Sequence, residues 1–395
     1  MNTYQFSFYD LITSALGSND NRMIQSYLDD VMAVKYNELN IDGFSFAPDM
    51  QLDFVYEQIL KTLDITPMAQ YVDVDSPAIP MGAKGFETYT GRIPRMKLVE
   101  YLNEDKVRKQ MILEQRFGST SDRAINAAKN NLFITVDKMI GSHTNSLTYQ
   151  RNQMVSAGKF AINSTNNPNG INGITLSAHV PTANVKTLTS TKRWYTSASN
   201  GVYSTEGAAC DPLANLIDMV DDANKKGVTA LHFEIDKVYA KNIIKHTKLI
   251  EAIAVELYTD AHNADWVKSK VGNMKLERKF EILGDIVGAP FKLIDSISTV
   301  QKWNSTTAQL EDSQIRGFES NVIVLVPDGS LGEVLTVEPI AVGDGTYGGF
   351  YGGRLLLTVG YEPVKKCQSF NTEMTSLVVP DKPQYMWYLH PYSAS

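Results

Sequence analysis

A chain of 395 residues with 43% apolar and 21% charged side chains exceeds what one hydrophobic core fills and is too apolar for a disordered or fibrous protein. At least two core-bearing units are expected. Its formal charge of −7, with no Lys/Arg block or basic tail, leaves no electrostatic footprint for tight, sequence-independent nucleic-acid binding. Two cysteines, Cys210 and Cys367, stand far apart and outside any C-x-x-C pattern, which argues against a disulfide framework. The opening MNTYQFSFYDLITSALGSNDN lacks the charged start and apolar run of a secretory signal, and no stretch approaches the roughly 20 apolar residues of a membrane span. The chain is expected to be made and kept in the cytoplasm.

From Arg22 to Leu39, Ile24, Leu28, Val31 and Val34 recur at steps of three and four and predict a short amphipathic helix capped by Ser18 or Asn19. The first sixty or so residues read as an arm. AQYVDVD (Ala69 to Asp75) and FETYTGRIPRMKL (Phe86 to Leu98) then flank SPAIPMGAKG, where Pro77, Pro80, Gly82 and Gly85 break regular structure. They predict a long hairpin with a loose tip. Both strands mix charge with isolated apolar residues, and Pro94 would interrupt a central sheet, so the hairpin is expected to project from the body and to need a partner.

A charged connector leads into one long helix, predicted from Ser119 or Ser121 to Ala157 and stopped by Gly158. Ile125, Ala128, Leu132, Val136, Met139, His143, Leu147 and Met154 keep one stripe on its buried side. Such a helix would span on the order of 55 Å. Gly141 and the SHTNS run lower helix propensity midway, so a bend there is an alternative. NSTNNPNGINGI (Asn163 to Ile174) is a dense turn region.

Asp211, Pro212 and Gly227 cap, open and stop a helix over DPLANLIDMVDDANKKG, where a second globular unit begins. ALHFEI, a helix from Asp236 to His246, KFEILG, IVGAPFKLI and NVIVLVP alternate strands with helices, the pattern of a sheet covered by helices. The closing LGEVLTVEPI, RLLLTVGYEPV and TSLVVPDKPQYMWYL are mostly strand, and no solenoid or propeller repeat is present.

Motifs for chemistry are weak. GDGTYG (Gly343 to Gly348) matches G-x-G-x-x-G, but a strand rather than a helix follows it, so it reads as a glycine loop. Asp73 and Asp75 lack the later ligands of a calcium loop, and the six histidines show no ligand spacing. No cofactor or metal is expected. His262 among Asp260, Asn263 and Asp265, and Glu251 with Glu256, are the best polar groupings, without a nucleophile elbow or S-x-x-K beside them. TKRWYTS sets Lys192 and Arg193 beside Trp194 and Tyr195, a base-stacking patch or a packed loop.

Taken in order, the amphipathic arm, the charged hairpin with IPRMKL at its base, the long helix ending in NSLTYQRNQMVSAGKF, the α/β unit and the strand-rich tail resemble the major capsid proteins of tailed bacteriophages. The resemblance implies an α+β, Hong Kong 97-type fold: an N-terminal arm over 1–65, an extended loop over 66–105, a peripheral domain with its spine helix over 106–210, an axial domain over 211–345, and strands of 346–395 returning to the peripheral domain. It implies a non-enzymatic subunit that builds hexamers and pentamers of an icosahedral shell around double-stranded DNA. Lys84, Glu87, Arg92, Arg95, Lys97 and Glu100 are the candidate subunit-interface residues, since charges on a projecting hairpin set register while buried apolar area supplies strength. A separate scaffolding protein or none, a portal and decoration proteins are the further partners implied; no lysine–asparagine crosslink is expected, and an acidic wall would grip packaged DNA weakly. An encapsulin-like compartment shell and an α/β hydrolase are the rival readings.

Overall fold

A computed structural model describes residues 39, 41–60, 87–101, 108, 109, 112, 116, 122–199, 202–258, 264–307, 309–340, 346–362 and 367–392. In chain order the early elements are β1 (Phe44–Phe46), β2 (Val55–Leu60), β3 (Glu87–Arg92), β4 (Arg95–Tyr101), α1 (Asp122–Ala157), β5 (Lys159–Ile162), β6 (Ile174–Ser177), β7 (Val185–Thr187), β8 (Tyr195–Ser199) and β9 (Val202–Glu206). There follow α2 (Pro212–Lys225), β10 (Leu231–Asp236), α3 (Lys237–Ile243), α4 (Thr247–Leu257), α5 (Asp265–Gly272), α6 (Leu276–Val287), β11 (Phe291–Ile294), β12 (Ile297–Asn304) and β13 (Gln309–Arg316). The chain closes with β14 (Ile323–Pro327), β15 (Gly332–Val337), β16 (Thr346–Phe350), β17 (Leu355–Glu362), β18 (Cys367–Pro380) and β19 (Trp387–His390). Two compact units share these elements, the first built from 1–56, 91–148 and 334–378, the second from 57–90, 149–333 and 379–395.

The first unit is organised by β18, whose 14 residues carry β17 on one edge and β4 on the other, within a sheet ordered β1-β15-β18-β17-β16. Ile93, Val136, Met139, Ile140, Leu147, Leu355, Leu357, Phe370 and Met374 are buried in this unit. Helix α1 enters it with the predicted stripe: Val136, Met139, His143 and Leu147 are all buried, and the helix runs through Gly141 without a break. His143 Nε2 meets Thr372 Oγ1 at 3.0 Å, and Thr144 Oγ1 meets the Tyr351 hydroxyl at 2.8 Å. Arg354 pins the strand-like segment after β1, donating to the Ala47 carbonyl at 2.6 Å and lying over the Phe46 ring.

The second unit centres on a five-stranded sheet ordered β11-β10-β14-β19-β7. Strand alternation divides β10 between two faces. Leu231, Phe233 and Ile235 join the apolar core with Leu216, Leu249, Ile253, Val267, Phe280 and Leu283 of the covering helices, while His232, Glu234 and Asp236 turn to the other face. Asp211 caps α2 by accepting the Ala214 N–H at 3.2 Å, and Gly227 leaves the helix with a φ of +79°, which no side chain adopts cheaply. Gly158 ends α1 in the same way, at φ +63°.

Four expectations differ from what is seen. Strand β3 pairs with β2, which the sequence did not announce, and Gly91 passes so close to the Tyr56 ring that a Cβ would strike it. The predicted partner Ala69 to Asp75 lies outside the described residues, as does the predicted arm helix apart from Leu39. Ile93 and Pro94 split IPRMKL from the hairpin, so β4 lies in the six-stranded sheet instead of projecting. The KFEILG run is helical within α6, because Phe280, Leu283 and Val287 share one buried face and Gly288, at φ +85°, supplies the stop. The last strand does not follow β17 and β18 into the sheet of the first unit: Trp387 and Leu389 enter the second unit's core, which places β19 between β14 and β7.

Candidate functional site

The polar face of β10 carries the densest charge cluster. Arg151, two turns from the end of α1, forms a bidentate ion pair with Glu234, donating from Nη1 to Oε2 at 2.7 Å and from Nη2 to Oε1. His232 bridges Glu234 and Asp328, at 3.4 and 2.6 Å. Burial alone would push the Glu234 carboxyl up; the His232 hydrogen bond and the Arg151 charge outweigh it and hold the group at about 2. Burial opposes a charge on His232 too, and its two carboxylate partners override it, so its pKa lies above the ordinary value. One turn of strand further, Asp236 accepts the Val238 and Tyr239 N–H groups as the cap of α3 and accepts Arg316 Nη1 at 2.9 Å, while Arg316 also reaches Asp295. These groups are paired with one another and tie the sheet together.

A second cluster has the look of a nucleophile and base. Cys210 Sγ lies 3.3 Å from His246 Nε2, and Glu206 stands 3.8 Å from Nδ1. The His246 Nδ1, however, accepts the Lys248 N–H at 3.2 Å, so the ring proton sits on Nε2 and that nitrogen cannot take the thiol's proton. Burial pushes the Cys210 thiol up as well, away from thiolate. Glu251 is held by Lys268 at 2.8 Å, and His262 lies outside the described residues. Trp194 and Tyr195 are buried, with the Trp194 Nε1–H donating to Asn215 Oδ1 at 3.1 Å; the TKRWYTS run is a short turn leading into β8 with its aromatic rings packed inside, and not a base-stacking patch. Among the described residues no group of His, Cys, Asp and Glu is arranged to hold a metal, and no helix is long and apolar enough to cross a membrane.

The charges expected at an interface are distributed unevenly. Lys84 lies outside the described residues, and Glu87 falls in β3. Arg92 is exposed at the end of β3. Arg95 and Lys97 are exposed on β4, where the register sets Lys97 opposite Glu373, and both bind that carboxylate, Lys97 at 3.0 Å. Their acidic partner is thus in their own chain. Glu100 is half-buried opposite Phe370. Leu98 and Val99 between them are exposed apolar residues on a strand that, among the described residues, pairs on one side only. Sequence does not point to Glu373 because Arg95 lies 278 residues earlier and Lys97 nearly as far.

The described residues thus carry paired, buried charge under β10 and a sheet margin at β4 with exposed apolar residues. The family model described as phage major capsid protein E matches residues 51–344, and the chain belongs to that family. None of the curated proteins compared matches it. Solved structures similar to the chain include a capsid protein of a prophage of E. coli CFT073, described as putative, at 11% identity over 94% of this chain and 98% of that one, TM-score 0.47. A phage-related protein from Bordetella bronchiseptica RB50 is 12% identical over 96% of this chain and 95% of that one, TM-score 0.46. The satellite phage P4 procapsid chain is 7% identical over 100% and 94%, TM-score 0.45. The protein is a capsid subunit of α+β build, which self-associates into phage capsids and is part of the virion. The compartment-shell and hydrolase readings are not favoured.

Proposed function

We propose that the chain forms hexamers and pentamers of an icosahedral shell around double-stranded DNA, assembled in the host cytoplasm, with the arm at 1–65, the extended loop at 66–105, the peripheral domain at 106–210, the axial domain at 211–345 and a C-terminal segment at 346–395. The margin of β4 supports this reading best. Leu98 and Val99, exposed between Lys97 and Glu100 on this strand, suit docking against another subunit. In it, Lys84, Glu87, Arg92 and Glu100 set register between copies, and Arg95 and Lys97 contribute through the Glu373 carboxylate they share. A separate scaffolding protein or none, a portal and decoration proteins are its further partners, and the net charge of −7 keeps contact with packaged DNA weak. The test is negative-stain electron microscopy of the purified chain, alone and with the neighbouring proteins of its own genome. Closed shells or six- and five-fold rings support the reading, and Arg92→Glu with Leu98→Asp should abolish them; a chain that stays monomeric at high concentration in every mixture overturns it.

A further inference from the structure

Strand register gathers one set of side chains on the polar face of β10. Glu234 stands opposite Lys292 of β11 and Val324 of β14, Val324 opposite Tyr388 of β19, and His232 opposite Val326. Arg151 of α1 reaches Glu234 on this face, and Asp328, the first residue after β14, reaches His232. All of them belong to the second unit. His232 is the only imidazole in this set, and each of its ring nitrogens meets a carboxylate: Nδ1 lies 2.6 Å from Asp328 Oδ1 and Nε2 3.4 Å from Glu234 Oε1. A neutral ring has one N–H and turns a lone pair toward the second carboxylate, whereas an imidazolium donates to both. The geometry selects the charged ring.

The two carboxylates depend on that charge unequally. Glu234 is buried and keeps its bidentate Arg151 pair whatever the state of the ring. The Asp328 side chain is 50% exposed, and among the described residues His232 is the ion-pair partner it has. Its turn is otherwise fastened by the Asp328 N–H donating to the Ala230 carbonyl at 2.9 Å and the Asp381 N–H donating to the Leu331 carbonyl at 3.0 Å, with Gly329 at φ +88° between. Losing the ring proton therefore removes a side-chain clasp from an exposed turn and leaves the buried pair satisfied. Burial opposes the His232 charge and is outweighed by Glu234 and Asp328, which set the ring above its ordinary 6.5. The clasp is thus complete below 6.5 and is lost as pH rises through the folded-state value. Burial pushes the Tyr388 phenol up and Glu234 is held at about 2, so neither of these changes charge between pH 6 and 9.

We propose that His232 is a proton-operated latch: charged, it clasps the turn after β14 to β10 through Asp328, and on losing its proton as pH rises it lets that turn go while Arg151 and Glu234 keep the sheet together. The latch acts within a single chain and does not depend on the capsid reading.

Two exchange measurements on the full wild-type chain test it, both read by mass spectrometry between pH 6 and 9. Deuterium exchange at the imidazole Cε1–H gives the titration of His232 itself, and amide exchange divided by its intrinsic rate at each pH gives the protection of the turn. The His232 midpoint should lie above 6.5, and protection of the 328–331 amides should fall at least threefold through that midpoint while Phe233 and Leu325 in the ladder keep theirs. Asp328→Asn, at a half-exposed position, should lower the midpoint and make protection of the turn independent of pH. A wild-type midpoint at or below 6.5 overturns the latch, and so does turn protection that stays level through the midpoint. An Asp328→Asn chain whose turn still loosens with the wild-type pH dependence overturns it too; the two wild-type measurements decide alone should that variant fail to fold.

Discussion

Arg151 and Glu234 lie 83 residues apart in sequence and hold each other through two parallel hydrogen bonds, with side chains 2% and 0% exposed. Removing one partner leaves the other charged and buried, which costs far more than the pair itself contributes. Glu234→Gln should lower unfolding free energy by about 3–5 kcal/mol, seen as a fall in the urea midpoint, whereas Arg151→Met with Glu234→Leu should recover most of that loss. The carboxyl is held at about 2 against an ordinary 4.5, so its contribution is complete above 4.5 and disappears as pH falls from there toward 2. A double variant no better than the single one would show that the pair is not the source of the loss.

Burial lowers the His143 pKa from 6.5 to about 4, so the ring is neutral in the folded chain while it is partly charged in the unfolded one. Stability is therefore greatest above 6.5 and falls as pH drops through the interval down to about 4, by about 3 kcal/mol at ~1.4 kcal/mol per pH unit. His143→Leu should flatten this part of the pH profile, at the expense of the Thr372 contact. Chemical denaturation at pH 7, 5.5 and 4.5 measures it; equal slopes in both proteins would remove His143 as the cause.

A Cβ on Gly207 would collide with the Arg193 and Thr191 carbonyl oxygens, both backbone atoms that have nowhere to move. Gly207→Ala should destabilise the second unit by more than about 3 kcal/mol, at the severe end for one substitution. Gly227→Ala, where nothing stands within 4 Å but φ is +79°, should cost only about 1 kcal/mol. Paired melting curves separate crowding from backbone strain; similar shifts for the two would contradict this account.

Glu373 takes both Arg95 and Lys97 with its side chain 20% exposed, against 46% and 56% for its partners. Exposed pairs are screened, so Glu373→Ala should change the stability of the isolated chain by less than about 1 kcal/mol. Its effect belongs to assembly, where freeing two cations at the β4 margin should alter the salt dependence of particle formation. Light scattering between low and high salt reads this out; an unchanged salt curve would mean that these cations take no part.

What could be read from sequence was what local rules govern. Gly158 and the stripe through Leu147 fixed the end and face of α1, and Asp211, Pro212 and Gly227 bounded α2, because caps and periodicity are properties of neighbouring residues. KFEILG failed because six apolar-rich residues fit either period, and its helical neighbours decided the matter. The β12–β13 ribbon went unseen since both its faces are largely exposed, which erases the alternation that marks a strand. Arg151 reads as a solvated helix residue and is buried; Glu234, far along the chain, makes that tolerable. The interface charges were legible as exposed residues, but the pairing of β4 with β18 is a long-range event with no local signature.

The place of β19 has a bearing on synthesis. The strand from Trp387 to His390 lies inside its sheet, flanked by β14 and β7, so the ribosome must deliver almost every described residue before that sheet can close. A nascent or prematurely released chain lacks the strand that joins β7 to β14, and its second sheet stays open there.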